Sequence, residues 1–132
     1  MSSLKAFQVA AELAERQRDA ARQTLKDVQS ALQAAQAQLE QLAGYAGETQ
    51  GRWGMRAGAE VQPEVMYHHY QFMGRLDHAI SLQTGAVSAQ DARVEQARQA
   101  LLAAELRLAS LRKVLERRRA ELALQQQRRE QK

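Results

Sequence analysis

The chain has 132 residues, a net charge of +4 and apolar content that leans on small and aliphatic side chains, with only two phenylalanines and one tryptophan. Such a composition excludes a thick globular core, and the lack of cysteine excludes structural disulfides and cysteine-ligated metal sites, which fits a reducing compartment. No run approaches the roughly 18 apolar residues of a membrane span, and no secretory leader precedes the first charged amphipathic residues, so a soluble chain without direct membrane insertion is expected.

From the N-terminus, Leu4, Ala11, Arg18, Leu25, Leu32 and Leu39 recur every seven residues. A companion column of Phe7, Ala14, Ala21, Val28, Ala35 and Leu42 runs beside them. No glycine or proline interrupts this pattern before Gly44, so helix one is expected over about 3–43. Gly44, Gly47, Gly51, Gly54 and Gly58 then fall within fifteen residues, and the sole proline, Pro63, follows with Glu64 beside it, as at the first turn of a helix. Residues 44–62 are therefore expected to be the connection.

Helix two is expected over about 63–128. Its first column is Met66, Met73, Ile80, Val87, Val94, Leu101, Leu108, Leu115 and Leu122, without a polar residue. The second column, His69, Leu76, Gln83, Gln90, Ala97, Ala104, Leu111, Arg118 and Gln125, is partly polar and makes the seam narrow and wet. A strict seven-residue repeat implies a left-handed supercoil, and a helix of this kind is stable only when a second helix covers the seam. The expected fold is all-α, an antiparallel two-helix coiled-coil hairpin with a longer second helix, forming a single domain over residues 1–132 and monomeric alone.

Helix one would be about 60 Å long and helix two about 100 Å at 1.5 Å per residue, so the second helix overhangs. With the fold centred near Trp53, Leu4 would face about residue 103, leaving Leu106, Leu108, Leu111, Val114, Leu115, Leu122 and Leu124 bare. An apolar stripe left in water marks a partner site. The same end, residues 107–132, carries nine basic against three acidic residues, or +6, while residues 1–106 carry ten against twelve, or −2.

Two signatures beside the turn carry a family resemblance. One is Gln38-Leu-Glu-Gln-Leu42-x-x-Tyr45, and the other is Tyr70-Gln-Phe72-x-x-x-Leu76-x-x-Ala79-Ile80. With the heptad frames and the basic end, the chain resembles the flagellar FliJ family over nearly its whole length. The resemblance implies a small cytoplasmic hairpin of the flagellar type III export apparatus, peripheral at the inner face of the cell membrane and similar in shape to the central stalk of rotary ATPases. It implies as partners the hexameric export ATPase, the cytoplasmic domain of the membrane export gate, and export chaperones. Carried over by position, the gate-binding candidates are Gln38, Leu42, Tyr45, Phe72, Leu76 and Ala79. Thr49 and Gln83 depart from the pattern, standing where the family has a second aromatic and a histidine. Leu76 lies in the seam column, so its burial is expected, whereas Phe72 and Ala79 flank the seam within a partner's reach. The candidates for binding the ATPase ring are Leu108, Leu111, Leu115, Arg117, Arg118, Arg119 and Leu122, from the coincidence of a bare stripe with basic charge.

Five of the six aromatics, Tyr45, Trp53, Tyr67, Tyr70 and Phe72, gather near the turn, either as an interface or as a small satellite core. His68, His69 and His78 lack a metal-binding spacing, and no nucleophile with base, carboxylate pair or phosphate loop appears, so no enzyme, metal or cofactor is expected. The basic run Arg117–Arg119 is broken by Glu116 and Glu121 and carries no interleaved aromatic, which argues against nucleic acid. A generic coiled-coil scaffold and a stalk of the virulence-type secretion system remain as alternatives.

Overall fold

The computed structural model describes residues 2–55 and 62–131. They form two helices, α1 over Ser2–Met55 and α2 over Pro63–Glu130, paired as an antiparallel hairpin with the second helix longer. Pro63 occupies the first turn of α2, where its missing N–H costs nothing, and Glu64 lies beside the positive end of the dipole. The Gln62 carbonyl accepts bonds from Val65 N at 3.0 Å and Met66 N at 3.1 Å, which starts the helix. Arg128 and Arg129 lie in its last turn, where positive charge is favoured.

Helix one does not stop near Ala43, as its glycines suggest, but continues to Met55. The heptad columns continue too: Ala46 and Trp53 extend the Leu39 column and Thr49 extends the Leu42 column, and all three are partly covered. Gly44, Gly47 and Gly51 fall on the exposed side, where an added Cβ would meet nothing within 4 Å. Each costs about 1 kcal/mol relative to alanine, and seam packing offsets that cost. Residues 56–61 of the expected connection, with Gly58, lie outside the described residues, as does Lys132.

Contacts divide the hairpin into two compact units, Val28–Val94 and Met1–Asp27 with Glu95–Lys132. In the first, Leu76 and Val94 are buried, and two second-column glutamines bond to the backbone of α1. Gln83 Nε2 donates to the Ala35 carbonyl at 2.9 Å and Gln90 Nε2 to the Val28 carbonyl at 3.4 Å. Seven residues forward on α2 match seven backward on α1, which is the antiparallel register. In the second unit Ala11, Ala14, Ala97, Leu108 and Leu115 are buried, the alanines letting the helices approach closely. No large side chain is fully enclosed among the described residues, so the core is a single thin seam.

Candidate functional site

In the unit Val28–Val94, one flank of the hairpin is built by a simple positional rule. Gln38 and Tyr45 on α1, and Val65, Phe72 and Ala79 on α2, each sit one position before a first-column residue of their own helix. In an antiparallel pair these positions from both helices line the same side of the seam. Tyr45 and Phe72 meet there edge to face, with ring centroids 6.0 Å apart and planes at 84°. Tyr45 is 50% exposed and Phe72 36%, so the aromatic pair is displayed as well as mutually packed. Phe72, Arg75, Leu76 and Ala79 line a shallow groove beside it.

The six candidates near the turn therefore separate. Gln38, Tyr45 and Phe72 are exposed, and Ala79 is half-covered at the groove. Leu42 is half-buried and Leu76 is buried in the seam, where they support the patch from beneath. Val65, 45% exposed, extends the same flank; its seven-residue spacing from Phe72 was the available signal. Trp53 stacks on His69 with centroids 4.1 Å apart, which makes that pair part of the seam's closed end and leaves Tyr67 and Tyr70 exposed. Gln83, the departure from the family's histidine, is spent on the Ala35 carbonyl.

The basic end departs from expectation. In the unit Met1–Asp27 with Glu95–Lys132, Leu108 is 3% exposed and Leu115 9%, while Leu111 and Val114 are half-covered. The bare stripe predicted from Leu106 onward is thus largely covered, and Leu108, Leu111 and Leu115 are seam residues. The cause is the continuation of α1: every residue by which the fold midpoint moves toward the C-terminus moves the facing position on α2 by two. Helix one accordingly reaches Arg118, whose guanidinium lies 5.6 Å from the Phe7 ring centroid, and Glu15 lies 3.9 Å from Arg112. What stays exposed is Arg117, Arg119 and, despite its contact with Phe7, Arg118, with the apolar Leu106, Leu122 and Leu124. Gln8, Glu12, Glu15, Arg112, Glu116 and Arg119 line a groove of mixed charge along this stretch.

Among the described residues no group of three or more His, Asp or Glu side chains is placed to hold a metal ion, and no helix is long and apolar enough to cross a membrane. The family model described as Flagellar FliJ protein matches residues 3–132. The chain belongs to the flagellar FliJ family. At the level of the family this makes it a component of flagellar type III protein export. No curated protein and no solved structure matches it.

Proposed function

We propose that the chain is a non-enzymatic stalk of the flagellar export machinery, which promotes assembly and turnover of the hexameric export ATPase and connects it to the membrane export gate and to export chaperones. Family membership over the whole hairpin is the observation that carries this reading. Two features support the division of labour between its ends. The flank of Gln38, Tyr45, Phe72 and Ala79 offers a partly aromatic surface near the turn with Arg75 at its groove, suited to the gate's cytoplasmic domain. On either side of the Phe7–Arg118 contact Arg117 and Arg119 are exposed on α2, and Leu122 is exposed past it, combining steering charge with an apolar anchor.

The protein acts in the cytoplasm and at the inner face of the cell membrane on this reading. The test combines Arg117→Gln, Arg119→Gln and Leu122→Ala in one chain and measures turnover of the export ATPase from the same organism. These side chains are exposed, so thermal stability should hold while stimulation of the ATPase falls. Full stimulation by the triple variant would remove the free end of α2 from the interface. No stimulation by the unaltered chain would favour a passive coiled-coil spacer.

A further inference from the structure

The contacts that set the register of this hairpin repeat with the heptad itself. Gln83 and Gln90 donate to main-chain carbonyls of α1, and every residue of a helix offers such a carbonyl. If α1 moved seven residues along α2, Gln83 would find Val28 and Gln90 would find Ala21, both second-column residues like those they now meet. The first column of α2 is apolar at every step, so it accepts the displaced helix without meeting a polar residue. A polar seam residue ordinarily specifies register because its partner is another side chain. Here the partner is the backbone, so the two glutamines set the phase within a heptad and leave open which heptad is paired.

The direction of such a step is also determined. A step that shortened the connection would have to absorb all seven residues between Met55 and Pro63. A step that lengthens it releases the last two turns of α1, which hold Gly51, a poor helix former whose neighbourhood is open. What holds the present register is a set of contacts specific to it: Tyr45 with Phe72, Trp53 with His69, and Arg118 with Phe7.

We propose that the hairpin has a second, less populated register in which α1 is displaced by one heptad, unwinding its glycine-containing end and moving Phe7 from Arg118 to Leu111, which takes cover from Leu115 on α2. A ligand that binds the exposed Leu115, or that captures Tyr45 and Phe72 apart from one another, would shift the population toward it. The step follows from the seam geometry and does not depend on the ATPase reading.

The absence of native cysteine makes the register directly measurable. Tyr45 meets Phe72, and moving seven residues along each helix twice brings Ala31 to Ala86 on the same flank. Ala31→Cys with Ala86→Cys therefore reports the present register, and Ala31→Cys with Ala79→Cys the displaced one. Ala31→Cys with Leu82→Cys is an off-heptad control. In a glutathione redox buffer the displaced pair should show an effective concentration roughly 10- to 1,000-fold below the present pair, as for a minor state of 0.1–10%, yet well above the control. Adding Gly51→Ala should lower it about fivefold further, because the end that must unwind becomes a better helix. Circular dichroism of the displaced, cross-linked chain should show a helical signal short by about two turns. A displaced pair no more reactive than the control, no response to Gly51→Ala, or a cross-linked chain that has lost most of its helix each overturns the proposal.

Discussion

Gln83 reaches across the seam to donate its side-chain amide to the Ala35 carbonyl at 2.9 Å, joining positions 48 residues apart in sequence. Ala35 lies in the middle of α1, where its carbonyl also takes part in the helical ladder, so losing the glutamine leaves no orphaned acceptor. Gln83→Leu exchanges a hydrogen bond worth about 0.5–1.5 kcal/mol for apolar burial of similar or greater worth. The thermal midpoint should hold or rise. A clear fall would mean that the polar contact contributes more than the leucine can replace.

The glycines of α1 make a sharper case. Gly44, Gly47 and Gly51 are helical, exposed and unobstructed. Gly44→Ala, Gly47→Ala and Gly51→Ala should each stabilise by about 0.4–1 kcal/mol, by restricting the unfolded chain and favouring the helix. Urea denaturation checks this, and destabilisation by any one of them would show that the helix does not extend through that position.

Burial along the first column of α2 predicts a gradient. Leu108 is 3% exposed and Leu122 39%. Leu108→Ala should cost about 2–5 kcal/mol as a seam cavity, half-covered Leu101→Ala less, and Leu122→Ala within about 0.5 kcal/mol of zero. Equal losses at Leu108 and Leu122 would mean that α1 covers α2 further than Arg118.

The Tyr45–Phe72 pair separates packing from docking. A double-mutant cycle with Tyr45→Ala and Phe72→Ala should give a coupling of about 0.5–1.5 kcal/mol. Phe72→Ala should weaken binding to the export gate's cytoplasmic domain while helicity stays nearly unchanged. If binding persists and only stability falls, the rings close the hairpin end and do not dock.

Periodicity alone determined that this chain makes two long helices and which side chains face each other. Every expected seam residue of α1, from Leu4 through Leu42, is covered, and on α2 only Met66, Arg118, Leu122 and Gln125, at the two ends of their columns, are exposed. A seven-residue repeat is a property of the chain itself, and burying its stripe has one geometric solution per helix. Where α1 ends was decided by tertiary structure. Glycine reads locally as a breaker, but the columns Leu39–Ala46–Trp53 and Leu42–Thr49 keep an apolar or half-apolar face against α2 while the glycines fall on the solvent side. That extension moved the register. Leu108 and Leu115, expected to be bare, became core; Arg118, expected to be free, came to rest on Phe7. Register in a hairpin depends on the length of the connection between helices, and a periodic pattern, being the same after every seven residues, carries no information about it.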